Sequence, residues 1–378
     1  MMTAVPVRAA SPVPDLRDLT LPELGEWVTG LGEAPYRARQ VFRWLWRRPV
    51  TGFHEMTDLP AELRRVLEAR AQSSTLETVE VRASRDGTRK LLLRLADGGQ
   101  IEAVLIPEGR RLTACISSQV GCGMACQFCL TATMGLRRNL RPGEIAGQLP
   151  ALRSALGPDE RITHIVLMGM GEPLANFPAV ETALKILIAP EGLAFPARRI
   201  TVSTVGLVPG IRRLARAALG VNLAVSLTAT TDELRDRLVP INRRYPLGEL
   251  LHACREFPLP PRRRMTFEYV LMAAVNDHIE DAHRLAGLLR GIRCKVNLIP
   301  LNEAPEIPFR RPARQRIEAF QQVLERAGYV APIRESRGED IAAACGMLAV
   351  AEGPLDSAVS TPYSDQCGVE QLGSSLGS

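Results

Sequence analysis

The chain has 378 residues, 46% of them apolar, with a formal charge of +6. That length and apolar share support one large core plus a small appended domain and argue against a disordered or fibrous chain. No run of about 18 uncharged apolar residues occurs, and MMTAVPVRAASPVPD at the start holds no continuous apolar stretch, so the expectation is a cytosolic protein without membrane span or signal peptide.

Thr20 and Glu23 have the spacing of a capping box, and Leu24, Trp27, Val28 and Leu31 then fall on one helical face. After a break from Gly32 to Pro35, Ala38, Val41, Phe42 and Leu45 repeat the helical period, with Arg37, Arg39, Arg43, Arg47 and Arg48 on the remainder. Leu63, Val66 and Leu67 follow Leu59-Pro60 and complete a helical accessory module, expected over residues 1–75. Its arginines read equally as a solvated face or as an RNA contact; the sequence pI of about 9.0 is consistent with a polyanionic partner and does not select one.

From about Val79 the pattern changes to short runs separated by Asp86-Gly87 and Asp97-Gly98, which predicts a β hairpin or meander as a linker subdomain over 76–111. Beyond it, β-like runs from Leu112 to Ser118, Ile165 to Met168, Ile200 to Ser203, Leu223 to Leu227, Phe267 to Leu271 and Val296 to Pro300 alternate with helix-length segments. The expected class is α/β, with an incomplete parallel barrel over 112–351. Residues 352–378 are rich in Ser and Gly and read as a disordered tail.

Three of the eight cysteines stand together as CGMACQFC, so Cys122, Cys126 and Cys129 can converge from one loop. Three soft thiolates suit a cubane iron–sulfur cluster with one iron left open; the competing reading is structural zinc, its tetrahedron closed by Cys115. The segment ITHIVLMGMGEP reads as a buried strand ending in Gly169, Gly171 and Glu172, where glycines permit close backbone approach and a carboxylate can meet a ligand amine. Basic runs at Arg137, Arg138 and Arg141, at Arg243 and Arg244, and at Arg262 to Arg264 are candidate phosphate contacts, each read first as a solvated surface.

CxxxCxxC with an aromatic before the last cysteine, followed by a strand ending GMGEP, resembles the radical S-adenosylmethionine superfamily. YRARQVFRWLW, ISSQVGC, VSTVG, LRDRLVPINRRYPL, TFEYVL and GEDIAAACGML narrow the likeness. Together they resemble the dual-specificity RNA adenine-C2 methyltransferase family, RlmN, with its C8-methylating relative Cfr, from about Pro22 to Ala351.

The resemblance implies a partial (β/α)6 radical S-adenosylmethionine barrel with a 4Fe–4S cluster on Cys122, Cys126 and Cys129. It implies cofactor contacts at Gly171, Glu172, Ser203, Ser226, Leu227, Thr228 and Asn302; the family often reads Ser-Leu-His where this chain has Ser226-Leu227-Thr228. Cys345 matches the cysteine that accepts a methyl group, Cys115 its resolving partner, and Glu102 the proton acceptor. Such chemistry answers a difficulty of the substrate: C2 of adenine is electron-poor and offers no nucleophile for polar methyl transfer, whereas a carbon radical can attack it.

The implied substrates are an adenine of 23S rRNA near the peptidyl-transferase centre and the adenine 3′ of the anticodon in certain tRNAs. Two molecules of S-adenosylmethionine per turnover, an electron donor such as flavodoxin, a disulfide reductant and a monomeric enzyme complete the expectation. Read without the resemblance, Glu102 is an outward carboxylate on an alternating strand, and Cys345 and Cys115 are small buried side chains, as are Cys254 and Cys294. Cys367 falls in the tail. The alternatives are C8 methylation and a non-catalytic, zinc-containing RNA-binding protein.

Overall fold

A computed structural model describes residues 13–48 and 50–350; the tail expected at 352–378, with Cys367, lies outside the described residues. Helix α1 (Leu21–Gly30) is entered through the expected capping box, in which the Thr20 N–H donates to Glu23 Oε2 at 2.7 Å and the Glu23 N–H to Thr20 Oγ1. Helix α2 (Tyr36–Arg47) buries Val41, Phe42, Trp44, Leu45 and Trp46, while α3 (Ala61–Arg70) buries Leu63 and Leu67.

Strands β1 (Glu77–Ala83), β2 (Arg89–Arg94), β3 (Gln100–Glu108) and β4 (Arg111–Cys115) form an antiparallel meander. The meander is continuous with the main sheet, because β4 pairs with β3 on one side and with the barrel on the other. A ribbon of β5 (Gln119–Gly121) and β6 (Leu136–Asn139) brackets the cysteine loop and the short helix α4 (Leu130–Thr133).

Helix and strand then alternate: α5 (Pro142–Ser154), β7 (His164–Leu167), α6 (Phe177–Ile188), β8 (Ile200–Thr204), α7 (Val208–Ala217), β9 (Asn222–Ser226), α8 (Asp232–Leu238), α9 (Leu247–Glu256), β10 (Met265–Leu271), α10 (Ile279–Leu288), β11 (Cys294–Pro300) and α11 (Arg314–Arg326). The nine-stranded sheet runs β1-β2-β3-β4-β7-β8-β9-β10-β11, and from β4 onward every pairing is parallel. This is the partial (β/α)6 barrel that the sequence leads one to expect.

Period-2 alternation divides each barrel strand between two environments. On β10, Phe267, Tyr269 and Leu271 are fully buried against the outer helices, with the Tyr269 and Phe320 rings 5.3 Å apart. The intervening Thr266, Glu268 and Val270 face inward beside Lys295, Asn297 and Ile299 of β11. After α11 the chain runs parallel to β11 through a bridge between Leu298 and Ile333, then crosses to β3, where the Ala349 N–H donates to Glu102 Oε2 at 3.0 Å. The segment holding Cys345 thereby lies across the open side of the barrel.

Candidate active site

A cavity of about 340 Å³ occupies the barrel interior and opens beside the cysteine loop. Its wall includes Cys122, Cys126, Cys129, Gly171, Glu172, Ser203, Ser226 and Asn302, together with Cys115 and Cys345. These residues come from seven separate parts of the chain, so five of the seven expected cofactor contacts and both outlying cysteines are brought to one space. Leu227, Thr228 and Glu102 are not part of that wall. Thr228 is fully buried with φ +59°, its carbonyl accepts from Asn276 Nδ2 at 2.7 Å, and its hydroxyl has no partner.

The cysteine loop is shaped by close backbone approach. A Cβ on Gly121, at φ +75°, would lie 1.9 Å from the Gly135 carbonyl oxygen, and the Cys122 N–H donates to that same oxygen at 2.8 Å. Gly171, at φ +98°, packs so tightly that a Cβ would lie 2.5 Å from Gln119 Cβ. The glycines of GMGEP therefore admit the protein's own SSQ segment. Ser117 Oγ receives the Met170 N–H and donates to the Glu102 carbonyl; Gln119 Oε1 receives the Glu172 N–H at 2.8 Å.

Both oxygens of Glu172 accept backbone N–H groups, from Leu174 at 3.0 Å and Val205 at 2.8 Å. Burial pushes its carboxyl up to about 7 in spite of those donors. Arg235 holds the neighbouring strand ends from behind. It is fully buried and donates to the carbonyls of Leu227, Val205 and Ser226 and to Asn242 Oδ1. No reading of the sequence assigned it a role, although it stands in the quoted phrase LRDRLVPINRRYPL.

Cys345 is exposed to the cavity, and its segment is fastened on both sides. Asn302 Nδ2 donates to its carbonyl at 2.9 Å, the Leu130 N–H donates to Gly346 O at 2.7 Å, and Thr131 Oγ1 donates to Leu348 O at 2.6 Å. Burial pushes the Cys345 thiol up to about 11, and the charge of Glu268 adds to the rise. Burial also raises Cys115; of the other described cysteines, only Cys345 adds to the rise.

Glu102 corrects the outward reading, since it is 4% exposed and pairs with Lys90 Nζ at 2.8 Å. Two basic candidates are also corrected. Arg138 pairs with Asp97 and Glu144, and Arg141 pairs with Asp15 and Asp18, so both join parts of this chain. Arg262 to Arg264 precede β10 and so stand at the end of the strands opposite the cysteine loop, with Arg263 donating to Gly220 O at 2.5 Å.

Residues 14–72 match the family described as the ribosomal RNA large subunit methyltransferase N-terminal domain, and residues 116–286 match the radical SAM superfamily. A curated relative from Geobacter sulfurreducens, named dual-specificity RNA methyltransferase RlmN, is 54% identical over 343 residues, covering 91% of this chain and 93% of that protein. The chain belongs to the RlmN family. A relative of the same name from Anaeromyxobacter dehalogenans is 51% identical, covering 91% of this chain and 94% of that one. The crystal structure of a radical SAM methyltransferase from Sphaerobacter thermophilus matches 89% of this chain and 99% of its own, with TM-score 0.83 and 50% identity.

A radical S-adenosylmethionine methyltransferase of this family uses a 4Fe–4S cluster and S-adenosylmethionine. The residues present fit both. Cys122 and Cys126 are buried and Cys129 half-buried, and all three act electrostatically on one another. Burial pushes the Cys122 thiol up to about 12 and raises Cys126 as well, so these two thiols stay protonated until a cation takes the protons' place. Cys115, the candidate fourth ligand of a zinc site, stands at the end of β4, before the ribbon that brackets the cysteine loop.

Proposed function

We propose that this RlmN-family enzyme methylates C2 of an adenine in 23S rRNA and of the adenine 3′ of the anticodon in certain tRNAs, with Cys345 as methyl carrier and Cys115 as its resolving thiol. The observation that carries the reading is that Cys115 and Cys345, 230 positions apart in the sequence, open onto the same cavity as the three clustered cysteines. A structural zinc site closed by Cys115 would still leave Cys345 without a use.

Cys122, Cys126 and Cys129 would hold the cluster, and Gly171, Glu172, Ser203, Ser226 and Asn302 would hold S-adenosylmethionine beside it. Two molecules are consumed per turnover in this reading. Reduced by an external donor of flavodoxin type, cluster and cofactor together supply a carbon-centred radical. The chain's own part is to present the Cys345 sulfur, with its transferred carbon, to the base and afterwards to release the product. Release falls to Cys115, once the adduct has lost its unpaired electron, which the oxidised cluster would accept. The Cys115 thiolate attacks the Cys345 sulfur, the carbon leaves with the C–S electron pair and takes up a proton as the new methyl group, and an internal disulfide remains for an external reductant. Glu102 receives the C2 proton in this reading, which requires the ion pair with Lys90 to rearrange toward the cavity. A base must be unstacked to reach so enclosed a site, which favours loops and flipped adenines.

Nucleoside mass spectrometry tests the assignment. Reconstituted protein, S-adenosylmethionine and reductant are incubated with RNA from a strain lacking the modification. Wild type is expected to form 2-methyladenosine and Cys345→Ala none; 8-methyladenosine would move the enzyme to the C8 activity.

A further inference from the structure

Two buried acceptors inside the cavity have no part in the scheme above. Glu268 is 7% exposed and Asn297 8%; they are register partners on β10 and β11, and both line the cavity. Asn297 Nδ2 donates to Glu268 Oε1 at 2.9 Å. Asn297 Oδ1 is buried without a partner, and among the described residues no donor reaches Glu268 Oε2. Burial holds the Glu268 carboxyl at about 7 against the opposing effects of Asn297, Lys295 and Arg334. A buried carboxylate with one oxygen free and a buried, unpartnered amide oxygen, on residues of a cavity wall, are costly to keep unless a ligand supplies donors.

The pair is placed where the base must go. Glu268, Asn297 and Cys345 line one cavity of about 340 Å³, so the pair and the thiol face the same enclosed space. On the Watson–Crick edge of adenine, C2 and the exocyclic amine flank N1. Whatever holds the amine of a base whose C2 meets Cys345 must therefore stand beside Cys345.

We propose that Glu268 and Asn297 form the recognition site for the exocyclic amine of the target adenine, with Glu268 Oε2 and Asn297 Oδ1 each accepting one of its N–H groups. This rests on the C2 reading with Cys345 as carrier. The site rejects guanine, whose amine is carried at C2 itself, and it rejects hypoxanthine, whose carbonyl would face two acceptors. The remaining source of donors is a cofactor hydroxyl, because Ser226 is the register neighbour of Glu268 on β9. Glu268 stands level with Ser226 and the pair extends away from it onto β11, so methylation of Cys345 in the Glu268 variant separates the two sources.

The test uses full-length reconstituted protein and three tRNAs that differ only at the base 3′ of the anticodon: adenosine, purine riboside, which lacks the amine, and inosine. Single-turnover methylation is followed by nucleoside mass spectrometry, and methylation of Cys345 by peptide mass spectrometry. Wild type is expected to methylate purine riboside on the order of 10² to 10⁴ times more slowly than adenosine. Glu268→Gln should be slowed on adenosine and should lose most of that discrimination, while Cys345 is still methylated. Equal rates on adenosine and purine riboside in wild type would overturn the proposal without touching the C2 reading. So would a Glu268→Gln enzyme that keeps the wild-type ratio, or one that fails to methylate Cys345, which marks a cofactor contact. A wild type that methylates no RNA removes the C2 reading, and the proposal with it.

Discussion

Asn302 Nδ2 donates a 2.9 Å hydrogen bond to the carbonyl of Cys345, tying the chain just beyond β11 to the segment that carries the exposed thiol. Asn302 also accepts from Ser336 Oγ, so one amide fixes that segment at two places. Asn302, proposed above as a cofactor contact, thus also sets where Cys345 stands. Asn302→Ala is expected to raise amide hydrogen exchange across 336–348 at least tenfold, since each lost buried hydrogen bond is worth about 1 kcal/mol. Unchanged exchange there would leave Asn302 as a cofactor contact alone.

The second fastening is Asp86, which accepts the Gly338 N–H at 2.9 Å and the Thr88 N–H at 2.9 Å. Burial acts to raise its carboxyl, but hydrogen bonds from Thr88, Gly338 and Ser84 prevail and bring it to about 2. A carboxyl lowered in the fold stabilises it above the unfolded value near 4, and that contribution is lost as pH falls through about 2. Wild type is therefore expected to melt a few degrees above Asp86→Asn at pH 7, with the gap closing between pH 4 and 2. A gap that persists at pH 2 would show that the charge is not its source.

The cluster loop depends on a position where no side chain fits. Gly121→Ala sets a methyl group 1.9 Å from the Gly135 carbonyl oxygen at a positive φ, so the ribbon that brackets the cysteines must open. Iron and sulfide content after reconstitution should fall to less than half of wild type. Full iron occupancy in Gly121→Ala would refute this account of the loop.

Arg235 makes the most concentrated buried contact of the barrel. Arg235→Met keeps the volume and leaves four acceptors, on Leu227, Val205, Ser226 and Asn242, without their donor. The expected loss is roughly 3 kcal/mol or more in urea unfolding, with weakened S-adenosylmethionine binding because Ser226 and Val205 move. A variant as stable as wild type would mean that water replaces the guanidinium.

Much of this was legible because barrel strands and capping boxes are local patterns. All six runs from Leu112 to Pro300 coincide with strands to within a few residues, and Thr20 with Glu23 caps α1 as spaced. The misreadings come from partners distant in the chain. Glu102 alternates like a solvent-facing residue, yet the Cys345 segment, some 240 positions later, covers that face of β3 and donates Ala349 N–H to it. Thr228, left open as a cofactor contact by the phrase Ser226-Leu227-Thr228, is fully buried at a left-handed backbone position and is not among the cavity-wall residues. Glu268 and Asn297 look like polar interruptions of two apolar strands until the parallel register sets them side by side.

The same distinction separates structural arginines from those free to meet RNA. Arg138 and Arg141 hold the meander and the N-terminal helices to α5 through Asp97, Asp15, Asp18 and Glu144. Arg39 and Arg43 are one turn apart on α2, both exposed, and neither has an ion-pair partner among the described residues. Phosphate contacts release counterions, so each one adds about one unit to the slope of log affinity against log salt concentration. Replacing Arg39 and Arg43 together by Gln is expected to weaken tRNA binding and to reduce that slope by about 2, with thermal stability unchanged. Arg141→Gln is expected to do the reverse, lowering the melting temperature while leaving the slope where it was. Binding isotherms at several salt concentrations, paired with melting curves, separate the two classes. An unchanged slope for the Arg39 and Arg43 variant would remove that face of α2 from the RNA interface.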